Sequence, residues 1–252
     1  MPSYTYHVFS ALKEADLVME VVDARFPNIM RNEEVEQFLR ARKVPIILVL
    51  NKIDLLHGKK PDLDWEALKK KDISAVGVSC APKRNILRLR GMIYSKLKDG
   101  GKIAMFGYPN AGKSSLINAL SGRHAAPTSS QAGFTRGRSH IRLREGVYLM
   151  DTPGIIPLDD RDEFLLMLFN ARSPNQLHDI QDLAMQLLEW LPTHAYWSDW
   201  VFRSYGVKLV GDGEEQLGAL ALHWRKIRKG NAPDLHSAAV KLILDWQAGW
   251  KH

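Results

Sequence analysis

Eight residues near the middle of the chain, Gly107-Tyr108-Pro109-Asn110-Ala111-Gly112-Lys113-Ser114, have the composition and spacing of a loop that wraps phosphate. The backbone N–H groups of such a loop, around Asn110, Ala111 and Gly112, point at anionic oxygen. So does the start of the helix that Lys113, Ser114 and Ser115 would open. Lys113 would reach the β- and γ-phosphates of a nucleotide, and the Ser114 hydroxyl would ligate Mg²⁺. Downstream, Asp151-Thr152-Pro153-Gly154 supplies a carboxylate able to hold Mg²⁺ through water and a glycine N–H able to sense a γ-phosphate. Between the two lies Gln131–Gly137, whose Thr135 is the candidate to close on the metal when a triphosphate is bound. Lys113, Thr135 and Gly154 are therefore the candidates for stabilising a phosphoryl group in transfer.

Base choice rests on Asn51-Lys52-Ile53-Asp54. The Asp54 carboxylate can accept from guanine N1–H and N2–H₂ together, a pair of donors adenine does not offer. Asn51 and Lys52 would buttress the loop and pack against the base. Ser79-Cys80-Ala81 follows, and a main-chain N–H there, at Cys80, would donate to guanine O6. A polar turn after a strand would give the same four residues at 51–54, but not the other motifs around them. The order is unusual: the base motif precedes the phosphate loop, whereas in ordinary small GTPases it follows. The chain therefore reads as a circularly permuted GTP-binding domain that uses GTP/GDP and Mg²⁺.

These motifs must sit at the ends of regular elements, and the first 171 residues alternate strand-like and helix-like segments, as in a parallel α/β sheet. Strands are expected at Leu17–Val22, Ile46–Leu50, Ile73–Val78, Lys102–Phe106, Ser139–Leu143 and Val147–Met150. Pro27 is expected to stop regular structure. Asn32 is expected to cap a helix carrying Glu33 and Glu34 in its first turn and Val35, Phe38 and Leu39 on its apolar stripe. Basic amphipathic Asn85–Leu97 and Ser114–Leu120 also read as helices. From Ser173 helical periodicity dominates, in Leu177–Leu191, Glu214–Arg228 and Leu235–Trp246. Six of the seven tryptophans lie there, at helical spacing that suits a core. The expected division is a permuted GTPase domain at 1–172 and a helical domain at 173–252.

The 252 residues carry a formal net charge of +7. Residues 1–171 hold 26 Lys+Arg against 19 Asp+Glu, and residues 172–252 hold 9 of each, so the excess lies in the nucleotide-binding part. A basic face suits a polyanion, most simply RNA. Arg136, Arg138, His140, Arg142 and Arg144 recur at every second position, which in a strand puts them on one face. Arg136, Arg138, Arg142 and Arg144 are the candidate RNA-binding residues; a solvated, charge-blunted edge strand is the alternative. A single cysteine, Cys80, rules out an internal disulfide framework and suits a reducing cytoplasm. No apolar run has the length of a membrane span.

Residues 16–155 resemble the YlqF/RbgA-type circularly permuted GTPases, ribosome-assembly factors of the TRAFAC class. The carrying residues are Asp23-Ala24-Arg25-Phe26-Pro27, the base motif, the phosphate loop with Ser115, and Asp151-Thr152-Pro153-Gly154-Ile155. More loosely, Asp234 to Trp250 is similar to that family's helical domain. The resemblance implies a cytoplasmic, monomeric GTPase acting on the large ribosomal subunit or its precursor, with rRNA as partner. The phosphate loop also resembles that of TrmE, which implies two further features: a K⁺ held beside the phosphates by Asn110, and transfer RNA as an alternative substrate. A GTP-gated RNA scaffold with negligible turnover is a third reading. Two departures stand out. The family's Pro-Gly-His-Met segment is not found in these residues, and His7 lacks those neighbours. Ile155 stands where Ras-like proteins place the water-orienting glutamine, so basal hydrolysis is expected to be slow and to depend on K⁺ and ribosomal particles. Fewer than about twenty residues join Gly154 to Ser173, so the γ-phosphate switch is expected to move the helical domain.

Overall fold

The computed structural model describes residue 9 and residues 12–122, 140–150, 162–194 and 197–248. β1 (Leu17–Asp23) and β2 (Ile46–Asn51) are buried at every position. Such near-continuous apolar runs belong to strands covered on both faces, as in a parallel sheet. One residue breaks the run: Glu20 sits in the middle of β1 with no exposure. β3 (Ser74–Gly77), β6 (Gly101–Phe106), β7 (His140–Arg144) and β8 (Val147–Met150) complete a six-stranded sheet in the order β3-β2-β1-β6-β8-β7. All neighbours are parallel except β7, which runs antiparallel to β8 at the edge. A separate two-residue hairpin pairs β4 (Ser79–Cys80) with β5 (Lys83–Arg84).

The strand order marks where a ligand would go. From β1 the chain moves outward to β2 and β3, then returns to the other side of β1 as β6. The direction of winding reverses between β1 and β6, and open α/β sheets bind ligands outside the carboxyl ends of the strands at that point. The loops after β1, β2 and β6 all leave from those ends.

The helices of this part follow their capping signals. α2 (Glu33–Ala41) starts where Asn32 Oδ1 accepts from Val35 N–H at 2.9 Å. Two helices were not read from the sequence: α3 (Trp65–Lys70), capped by Asp64, and one-turn α1 (Pro27–Met30). Pro27 opens α1 instead of stopping regular structure, because its fixed φ and missing N–H suit the first helical position. α4 (Ile86–Lys96) and α5 (Lys113–Ser121) match expectation within a residue or two.

The chain divides into two compact units, Met1–Pro157 and Leu158–His252. The second contains α6 (Glu163–Leu168), α7 (Ile180–Thr193), α8 (Trp200–Tyr205), α9 (Gly213–His223) and α10 (Leu235–Gln247). Its division point lies before the 172/173 boundary expected from helical periodicity because α6 is stitched to α10. Trp246 Nε1 donates to Leu168 O at 3.1 Å, and Gln247 Nε2 donates to Met167 O at 3.2 Å and Arg172 O at 2.8 Å. Buried Trp197, Trp200 and Trp246 pack edge to face, so the aromatic cluster is core. α9 ends at His223 and not at Arg228: Arg225 takes a left-handed φ of 55°, and Lys226 O accepts from Asp234 N–H at 2.8 Å to close a turn. Among the described residues no helix is long and apolar enough to cross a membrane.

Candidate nucleotide-binding site

The phosphate loop leaves β6 at Gly107, which passes so close to β1 that a Cβ there would collide with the Val21 carbonyl. Asn110 then takes a left-handed φ of 58°, Ala111 is fully buried, and Gly112 at φ 94° opens α5. A Cβ on Gly112 would strike the Asn51 side chain, so only glycine fits both the angle and the space. Ser114 is exposed and Ser115 half-buried in the first turn of α5. Lys113 Nζ donates to the loop's own carbonyls, Gly107 O at 2.8 Å and Tyr108 O at 2.6 Å. Burial, followed by the neighbouring Lys52 charge, pushes its pKa down to about 8. An anion in the loop would reverse that pressure. The glycine cradle, the inward ammonium and the exposed Ser114 hydroxyl fit a nucleotide triphosphate with its Mg²⁺. Among the described residues no group of three or more His, Cys, Asp or Glu could hold a metal by itself, so the ion would share the phosphate oxygens.

The base motif lies beside this loop. Asn51, only 2 % exposed, donates from Nδ2 to Ala111 O at 2.8 Å. Its Oδ1 accepts from Cys80 Sγ at 3.6 Å. Burial and then the Asp54 charge push the Cys80 thiol up to about 11, so it stays protonated and remains a donor. Ser79 Oγ donates to Asp54 Oδ1 at 2.5 Å, fixing the carboxylate that sequence reading assigned to guanine. Lys52 takes a left-handed φ of 63°, and Ile53 N–H donates to Val78 O at 3.1 Å at the start of a 3₁₀ turn, Ile53–Leu56. The structure thus brings Asn51, Lys52, Asp54, Ser79 and Cys80 next to Ala111, Gly112 and Lys113.

Sequence reasoning left two features without a role. Asp23, at the end of β1, pairs with Arg25 and with Lys52. Glu20 and Glu36 form a buried acid pair in which Arg31 holds Glu36 at 2.7 and 2.8 Å and Asn32 N–H donates to Glu20 at 2.7 Å. The signal for the second was visible: a glutamate in the middle of an otherwise apolar strand.

Thr135, Arg136, Arg138, Asp151 and Gly154 lie outside the described residues. Arg142 and Arg144 are described, and they diverge. The β7–β8 register shifts between them, so the two-residue period does not carry a common face through to Arg144. Arg142 is exposed. Arg144 instead turns inward: its Nη2 donates to Leu97 O at 2.8 Å and its guanidinium lies 4.2 Å from the Tyr94 ring centroid. The expectation that Arg144 belongs to an RNA-facing row is corrected accordingly.

Strand order, phosphate loop and the reversed order of motifs define a circularly permuted P-loop GTPase fold. Residues 102–196 match the model of a family described as 50S ribosome-binding GTPase. The fold superposes on YlqF from T. maritima, with a TM-score of 0.63 for the GNP-bound structure, at 23 % identity over 97 % of this chain and 93 % of that one. The GDP-bound YlqF structure gives 0.65 at 24 % identity, covering 96 % and 94 %. In sequence the chain is 33 % identical to an uncharacterized GTP-binding protein of Methanocaldococcus jannaschii, over 94 % of this chain and 63 % of that protein. It is 29 % identical to nucleolar GTP-binding protein 2 of Neurospora crassa, over 96 % of this chain and 40 % of that one. The chain therefore spans less than two thirds of these relatives. Its fold is that of the YlqF structures.

Proposed function

We propose that this protein binds GTP with Mg²⁺, hydrolyses it slowly, and serves assembly of the large ribosomal subunit by binding rRNA in its GTP state and leaving after hydrolysis. The observation that carries the nucleotide reading is the buried Asn51–Ala111 bond. It joins a base motif and a phosphate loop that the chain presents in reversed order, and it sets them at the switch point of the sheet. The Ser79–Asp54 bond supports guanine over adenine, because it holds one oxygen of a carboxylate that would otherwise be free to turn. The ribosomal part is supported by the family description over residues 102–196 and by the nucleolar relatives.

In this reading Asn51, Lys52, Asp54, Ser79 and Cys80 hold the base, and Asn110 through Ser115 hold the phosphates. Ser114, Thr135 and Asp151 hold Mg²⁺, which would neutralise charge developing on the phosphate oxygens. Asn110 would hold K⁺, and Lys113, Thr135 and Gly154 would act on the γ-phosphate. Arg136, Arg138 and Arg142 would meet RNA. A monomeric state and a cytoplasmic site of action belong to the same proposal, although the relatives named nucleolar point to the place where large subunits are built. The test is cosedimentation of the protein with large subunits in a GTP analogue and in GDP, beside calorimetry with GTP and ATP. Retention in the analogue alone with GTP preferred is expected; equal retention, or equal nucleotide affinities, would reject the reading.

A further inference from the structure

Asp23 ends the central strand β1 and is 3 % exposed. Its carboxylate meets four donors. Three come from Arg25: the backbone N–H at 3.0 Å, Nε at 3.0 Å and Nη2 at 2.8 Å. The fourth is Lys52 Nζ at 2.9 Å, reaching across from the end of β2. The Arg25 fork already neutralises the charge and fills both oxygens, so Lys52 is not needed to satisfy Asp23. The Arg25 side chain is 5 % exposed and lies 5.2 Å from the Phe26 ring centroid, whereas the Lys52 side chain keeps 25 % exposure. Arg25 and Asp23 are the fixed part of this cluster and Lys52 is the part being placed. The backbone agrees: Ala24 N–H donates to Asn51 O at 2.7 Å, locking the two strand ends one residue before Lys52.

We propose that Asp23, clasped by Arg25, is a positioning residue for guanine-nucleotide binding: it holds the Lys52 ammonium at the end of β1 and so aims the lysine's methylene stem across the base site. The proposal rests on reading residues 51–54 as the base motif. Without the clasp the ammonium is free to follow solvent, and the stem spends less time where a base would stack. Burial opposes ionisation of Asp23, but Arg25 and then Lys52 hold its carboxyl well below the usual carboxylate range, so the clasp is charged at neutral pH.

The experiment uses the full chain and fluorescent GDP and GTP, with steady-state turnover and thermal unfolding recorded in parallel. Asp23→Asn is expected to weaken GDP binding about fivefold, through faster dissociation. KM for GTP should rise while kcat at saturation holds, and Asp23→Glu should restore part of the loss. The charge-balanced pair Asp23→Asn with Lys52→Met tests the idea even where Asp23→Asn alone does not fold. Because Asp23 acts through Lys52, the pair should bind GDP no more weakly than Lys52→Met alone. A wild-type protein that binds ATP as well as GTP overturns the base assignment and the proposal with it. A guanine-selective wild type overturns the proposal alone if Asp23→Asn keeps full affinity, or if the double variant binds more weakly than Lys52→Met.

Discussion

Asp54 presents a carboxylate with one oxygen held by Ser79, next to an asparagine whose amide is committed to the phosphate loop. A site built to receive two N–H donors discriminates by leaving a buried polar group unpaired when the donors are missing. Asp54→Asn should therefore lower guanine nucleotide affinity by about two orders of magnitude or more and move preference towards xanthosine nucleotides, as read by calorimetry with GDP and XDP. Glu20 makes a second prediction at this scale. Burial, and then the neighbouring Glu36, raise its carboxyl pKa well above the usual value. A carboxyl raised in the folded state contributes its full stability below the unfolded pKa of about 4.3 and loses it as pH rises towards the folded value. Glu20→Gln keeps an acceptor for the Asn32 N–H but cannot ionise. Its thermal midpoint should exceed that of the wild type by a margin that grows between pH 5 and pH 8; a constant margin would mean that Glu20 is ionised throughout.

At the scale of elements, two glycines let the backbone of the phosphate loop pass close to its neighbours. Gly107 and Gly112 allow the close approach to Val21 and Asn51, and the left-handed Asn110 leaves its side chain exposed at the rim. A monovalent cation held by that side chain would supply charge that other GTPases obtain from an arginine finger. Turnover is expected to be faster in K⁺ than in Na⁺, with the difference abolished in Asn110→Ala; equal rates in the two salts would exclude the cation. The edge strand β7 shows how an element can overrule a sequence period. Alternation placed Arg142 and Arg144 together, but a register shift separates them and Arg144 becomes a strut between β7 and the end of α4. Arg144→Ala should then lower thermal stability by about 1 kcal/mol or more through a lost cation–π contact and carbonyl partner. Arg142→Ala should leave stability unchanged and reduce the salt dependence of RNA binding by about one charge. Reversed outcomes in those two variants would return Arg144 to the RNA-facing row.

For the whole molecule, motif identity and motif order were legible in the sequence because phosphate and guanine recognition demand particular residue types at fixed spacing. The strands were legible because a doubly covered parallel sheet requires long apolar runs, and Leu17–Asp23 and Ile46–Asn51 have them. Caps at Asn32 and the helix behind the phosphate loop were readable for the same local reason. Short helices such as α6 and α8 were not, since one or two turns carry too little periodicity to separate them from loops. Only the tertiary structure decided what depends on distant partners. It assigned residues 163–172 to the helical unit through bonds to Trp246 and Gln247, and it turned Arg144 inward. It joined Asp23, Arg25 and Lys52 across two strand ends, and it closed the gap between Asn51 and Ala111. Local chemistry is written in consecutive residues; contact between elements depends on strand order and register, which no single segment contains.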